Sequence, residues 1–365
     1  MSNAREVPHS ESRVPWVDFA KTWSIALVVV MHATVDVGLQ IGGTGWLHSV
    51  VAFAKPFRMP NFFLVSGLFL GRIVDRPWRE FLDKRVLHFV YFYALWLFIE
   101  LLTKAVHLGI ANPPALLATY FWSFVEPFSS MWFIQVLPFF YVAARLVRRL
   151  PVPFVLVAAV ALHILAAAYP SGSVYALYAT MTPSTIVNSF CMFFVYFLAG
   201  HLYRDRLFAF AKWATARPAA IAAALLVWAL AEEMAVRLGW QDRSGVTLLL
   251  GFAGGLAVIA LSTLVARARA LRPLAYCGRH SLVVYLAFYA PMAATRLLLA
   301  RTGLVTDVGL ASIVVTTVAV AFPLALEALT RDTPLAFLFA RPGWARIAPS
   351  PMLQPGGLAA AGQPR

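Results

Sequence analysis

The stretch WVDFAKTWSIALVVVMHA, Trp16 to Ala33, has the length and apolar content of a membrane-crossing helix. It also holds an aspartate, a lysine and a histidine, each of them costly against lipid. Lys21 and His32 are eleven residues apart. At about 100° per residue that offset closes to about 20°, so the two side chains share one face of a helix. Asp18 lies three residues before Lys21 and Asp36 four after His32, which puts both near the same stripe. The rise from Lys21 to His32 is about 16 Å. An ordinary anchor has no use for such a stripe, although Asp18 and Lys21 alone also fit an interfacial ion pair.

Similar apolar segments recur along the chain. Of 365 residues, 61% are hydrophobic and only 13% charged. That composition excludes an ordinary soluble domain and predicts an all-α polytopic membrane protein. About ten transmembrane helices are expected, near 15–36, 47–70, 86–106, 130–147, 151–168, 188–203, 217–236, 245–266, 274–299 and 308–330. The first is expected to be retained rather than cleaved, since no convincing A-x-A site follows it. Residues 1–14 precede this 15–330 domain. Residues 331–365 follow it as a tail whose Pro- and Gly-rich end is expected to be disordered.

The net charge of +14 needs no nucleic acid to explain it. Counting Lys and Arg in alternate connections gives 21 on one side and 3 on the other. That asymmetry places both termini in the cytoplasm, with the Lys21 end of the first helix inside and His32 deeper. Cys191 and Cys277 do not form a disulfide framework or a metal motif. His32 has no second histidine or cysteine at helical spacing, so no metal site is expected there.

Arg58 stands between Pro56 and Pro60 in FAKPFRMPNFFLVSG, inside the second apolar segment. It cannot shed its charge and needs an anion, carbonyls or water. Two prolines in one span also predict a break that frees backbone groups. Ser66 and Gly67 permit close helix contact. In GRIVDRPWREFLDKR, expected as a loop, Lys84 and Arg85 are explained by topology but also suit a phosphate-bearing ligand. Glu100 and Lys104 are spaced as an i,i+4 pair. His163, Arg296 and Glu327 look isolated. GFAGGLA, Gly251 to Ala257, reads as a packing face, and Trp132 as an interfacial anchor.

Taken together, these residues resemble the acyltransferase 3 family of integral membrane acyltransferases. Lys21-x10-His32-Ala33 resembles its first helix, in which the basic residue is commonly arginine. FRMPNFFLVSG resembles its second-helix motif, DKRVLHF its basic lead into the third helix, and MWFIQVL its Trp-aromatic motif. CGRHSLVVYLAFY resembles the late segment, which often ends in histidine where this chain has Phe288.

The resemblance implies acyl transfer, most often of acetyl, from cytoplasmic acyl-CoA to a hydroxyl or amine of a glycan or glycolipid. His32 is then the catalytic residue, as general base or transient acyl carrier. Lys21, Lys84 and Arg85 would hold the donor's phosphates, and Arg58 would steady the donor or an oxyanion. Asp18, Ser66 and Trp132 would support them. No permanently bound cofactor is expected. Membrane lipid and the acceptor are the expected partners, in a bacterial inner membrane, with loops near 37–46, 107–129 and 169–187 facing the acceptor. No SGNH-type esterase domain follows, so the chain is expected to act alone or with separate glycan-assembly proteins. A transporter or flippase of a polar solute or lipid-linked glycan is the competing reading, since Asp18, His32 and Arg58 also suit a pathway.

Overall fold

A computed structural model describes residues 14–71, 73–105, 110, 112–168 and 185–348. Arg5, Arg13, Arg72 and Arg365, most of the 169–187 loop, part of the 107–129 loop and the tail stretch 349–365 lie outside the described residues. Among the described residues the chain is helical and has no strand.

Helix α1, Pro15–Ile41, starts on a proline, whose missing N–H is no loss in a first turn, and ends at Gly42 with φ 86°. Helix α2, Leu47–Gly67, contains Pro56 and Pro60 yet continues through both, so the expected break is absent. Helix α3, Trp78–Lys104, begins about eight residues before the expected third span (start near 86). Pro77 sets its start, and Lys84 binds Glu80 one turn back at 2.8 Å. Half of the expected basic loop is therefore helix, widened by a π turn over Asp83–Leu87.

A short α4, Pro113–Trp122, is capped by Asn112. Then come α5, Trp132–Val147; α6, Val152–Ala168; α7, Thr185–Leu202; α8, Arg204–Ala216; α9, Pro218–Arg237; and α10, Ser244–Val265. The expected ninth span is divided into α11, Arg272–Arg279; α12, Ser281–Ala287; and α13, Tyr289–Thr302. The axes of α12 and α13 differ by 54°. Pro291 explains the bend, because it has no N–H to offer the carbonyl four residues back. Helix α14, Val308–Thr330, is followed by short 3₁₀ turns over Pro334–Leu338 and Gly343–Ala345.

Among the described residues, six helices (α1, α3, α7, α9, α10 and α14) are long and apolar enough to cross a membrane, and a seventh if α12 and α13 form one bent span. The chain is a multi-pass membrane protein. Helices α5 and α6, at 16 and 17 residues, are shorter. Helix α2 carries Lys55 and Arg58 as well as its two prolines.

Backbone contact fixes the centre of the bundle. A Cβ on Gly67 would land on the carbonyl oxygen of Phe197, and one on Gly200 on that of Leu64, so α2 and α7 meet main chain to main chain. Gly251 and Gly254 admit Tyr196 and Phe57 onto α10, as the packing-face reading expects. Gly278 of α11 lies on the Asp18 carbonyl of α1.

Basic residues from several connections gather at the Lys21 end of the bundle. Arg145 donates to the Arg76 carbonyl at 2.7 Å, Arg148 pairs with Asp75 at 3.3 Å, and Arg85 lies within electrostatic reach of Lys21. At the opposite end, Lys55 pairs with Asp242 at 2.8 Å and Arg296 with Asp36 at 3.1 Å. Arg296 is thus not isolated. Nor are Glu327, paired with Arg331 at 3.0 Å, or His163, whose Nδ1 lies 2.7 Å from the Met192 carbonyl.

Candidate functional site

A cavity of about 710 Å³ lies at the Lys21 end, a volume in the usual range for a small-ligand site. Helix α1 contributes Lys21 and Ser24 to it, α2 contributes Ser66, and α3 contributes Lys84 and Arg85. Four of the residues marked in the sequence therefore share one cavity. Lys21 Nζ sits 4.9 Å above the Phe69 ring. Arg85 donates to the Phe69 carbonyl at 3.2 Å and stacks on Tyr141 at 5.2 Å. Lys21 rests on a ring with the Asp18 carboxylate in electrostatic reach, and Arg85 on a ring and a carbonyl. Ser66 turns back to the Phe62 carbonyl at 2.8 Å.

Two residues with no sequence signal of their own complete this end. Asp83 is buried and accepts from Arg341 at 2.6 Å and from the Ile347 N–H at 2.8 Å. Both Asp83 and Arg341 line the cavity. Asp18 lies beside Lys21, as its spacing implies, but is not on the lining.

Aromatic rings form part of the cavity lining. Phe62 and Phe133 are 4.2 Å apart by ring centroid, and Phe133 and Tyr285 5.5 Å; all three line the cavity. The Tyr285 hydroxyl donates to the Ser130 carbonyl. Ser24, on the same wall, accepts a hydrogen bond from Asn61 at 2.7 Å. The Asn61 side-chain oxygen Oδ1 is buried with no donor.

His32 lies beyond these rings and does not line the cavity. Its own ring faces Phe288 at 5.5 Å, and Phe288 stands 6.4 Å from Tyr285. The cations of Arg58 and Lys104 lie within electrostatic reach of His32. The Nε and Nη1 of Arg58 are buried without hydrogen-bond partners. Lys104 is bound to Glu100 at 2.6 Å, the i,i+4 pair expected from spacing, and lies 3.6 Å over the Tyr289 ring.

Trp132 is no interfacial anchor. It packs inward on Phe193 at 5.7 Å and Phe63 at 6.0 Å, within the aromatic core. The residues marked in the sequence thus fall into three places: Lys21, Ser66, Lys84 and Arg85 around a cavity; His32 and Arg58 beyond its aromatic end; and Trp132 in the packing behind it.

The site is thus a basic cavity at one end of a multi-pass membrane protein, with a histidine and a desolvated arginine deeper in. The family pattern described as "Acyltransferase domain" matches residues 14–327, and the chain belongs to this acyltransferase 3 family. It is also 24% identical over 161 residues to "Inner membrane protein YcfT" of Escherichia coli (strain K12), a match covering 38% of this chain and 45% of that protein. The chain thus spans less than half the length of that curated relative. No solved structure matches the chain.

Proposed function

We propose that the protein moves an acyl group, most simply acetyl, from acyl-CoA to a hydroxyl of a glycan or related acceptor in a bacterial inner membrane. The observation that carries this reading is the division of polar groups along α1. Lys21 lines a basic cavity, and His32 lies beyond that cavity's aromatic end beside an unpartnered arginine. A donor with phosphates at one end and a thioester at the other, joined by a long arm, matches that division. The name of the Escherichia coli relative supports the inner-membrane placement.

The donor's phosphates rest on Lys84, Arg85 and Lys21, and its arm runs along the aromatic wall. Phe62, Phe133 and Tyr285 must turn to let the thioester reach His32. As the acceptor oxygen attacks the thioester carbon, His32 takes the hydroxyl proton. Arg58 donates to the oxyanion from a site where water does not compete. The C–S bond then breaks, the ester C–O bond is complete, and the proton passes from His32 to the leaving thiolate. If His32 first carries the acyl group itself, the same bonds change in two steps.

Purified protein in lipid, given acetyl-CoA and membrane glycan, is expected to release free thiol and to add one acetyl mass per acceptor. Substrate movement into proteoliposomes with no acyl donor, and no mass change in any glycan or lipid fraction, would favour the transporter reading instead.

A further inference from the structure

The chain after α14 lies beyond the family match, which ends at residue 327, yet it is part of the cavity wall. Residues 334–348 form a strap along α3. Tyr91 donates to the Phe337 carbonyl at 3.0 Å, Trp96 to the Leu338 carbonyl at 2.8 Å and Arg79 to the Ile347 carbonyl at 2.6 Å. Asp83 holds the strap at two points, the Arg341 guanidinium and the Ile347 N–H. Residues 334–348 are therefore a fixed element, not a tail.

The strap changes the charge of the cavity. Among the described residues the lining holds five cations, Lys21, Lys84, Arg85, Arg341 and Arg346, against a single carboxylate, Asp83. Both Asp83 oxygens are already engaged within the protein. Arg341 is 8% exposed, and its Nη1 is buried with no acceptor, as is the Nε of Arg85. A buried guanidinium nitrogen without an acceptor carries a desolvation cost that an anion removes. Two such donors among the five cations around one cavity suit a polyanion, and planar guanidinium groups suit phosphate oxygens in particular. Phe69, Phe89 and Tyr141 beside them give the same ligand an apolar flank.

We propose that the strap completes a polyphosphate-binding site, with Arg341 as a binding residue for the pyrophosphate of a nucleotide-like ligand and Asp83 as the residue that positions it. The proposal rests on the donor reading above for the ligand being acyl-CoA, but not for its being a phosphate. Arg341 uses Nη2 on Asp83, which fixes the plane of the guanidinium and leaves Nη1 without a protein partner. The phosphate group of an anionic lipid offers the same chemistry.

The test is equilibrium binding to the full chain in neutral-lipid nanodiscs, with coenzyme A and inorganic pyrophosphate as separate probes. Arg341→Gln alone strands Asp83, so it is paired with the Asp83→Asn/Arg341→Gln variant, which leaves no unpaired buried charge. Coenzyme A is expected to bind the double variant about tenfold or more weakly than the wild type, the scale of a lost charge-assisted contact. Equal affinity in both would overturn the role of Arg341 while leaving the donor reading intact. Pyrophosphate binding that is lost in the double variant, with no coenzyme A binding to the wild type, would uphold the site and overturn the donor reading. Binding of neither probe to the wild type would overturn both. Repeating the titration in anionic-lipid nanodiscs separates the sources: competition confined to the wild type identifies a lipid phosphate as a ligand of the same site.

Discussion

His32 of α1 and Phe288, at the junction of α12 and α13, face each other with ring centroids 5.5 Å apart. Phe288 is 1% exposed and stands at the 54° bend, so it joins the histidine to the aromatic end of the cavity. Its truncation removes a large buried ring at a point where two short helices depend on side-chain packing. Phe288→Ala is expected to cost about 3–5 kcal/mol of stability, and Phe288→Leu much less. Thermal unfolding in detergent checks the order. Acyl transfer by the Leu variant then reports whether the ring also holds His32 in place.

Arg58 presents two buried nitrogens without partners next to His32. If they serve a developing oxyanion, Arg58→Gln lowers kcat about 10²–10³-fold with little change in KM for the donor. Arg58→Lys restores only part of the rate, because a compact ammonium cannot reproduce a planar pair of donors. An equal loss in kcat and in donor binding would place Arg58 in the binding site instead.

Glu100 and Lys104 are both largely buried and 2.6 Å apart. Removing one partner leaves an unpaired charge in a low-dielectric interior. Glu100→Ala is expected to destabilise the protein by about 3–5 kcal/mol, and a Glu100→Leu/Lys104→Leu double substitution by clearly less. The two unfolding midpoints, compared in the same detergent, decide this.

Gly67 and Gly200 let α2 and α7 touch along their backbones. A methyl group at either would fall on a carbonyl oxygen of the other helix, and backbone cannot move aside as a flexible side chain would. Gly67→Ala should cost about 1–3 kcal/mol by overpacking, read as a lower unfolding midpoint. At Gly245, where an added Cβ would meet nothing, alanine should leave the midpoint near that of the wild type.

How much of this was legible in the sequence follows from the range of each interaction. The Lys21–His32 stripe, the Glu100–Lys104 pair and the glycines of α10 depend on helical period alone, and period is written in the chain. The α3 start at Trp78 was missed because five basic residues around it read as a loop, although Pro77 and the Glu80–Lys84 spacing both signal a helix. Trp132 was misplaced because an aromatic residue at a helix end looks the same whether it meets headgroups or Phe193. Arg296 looked isolated because its partner, Asp36, is on another helix. The Asp83–Arg341 pair was out of reach altogether: its members are 258 residues apart, and the strap's own sequence, PLAFLFARPGWARIA, carries no helical period. Lys21, Ser66, Lys84 and Arg85 were therefore legible as candidate site residues, while the strap beside them was not.

The central claim is that His32 performs the chemistry while the cavity at the Lys21 end holds the donor. Coenzyme A binding and acetyl transfer, measured side by side on wild-type protein and His32→Ala in the same nanodiscs, test it most directly. The account predicts unchanged coenzyme A affinity, since His32 does not line the cavity, and transfer slower by about 10²–10⁴-fold. Transfer at the wild-type rate in His32→Ala would contradict it.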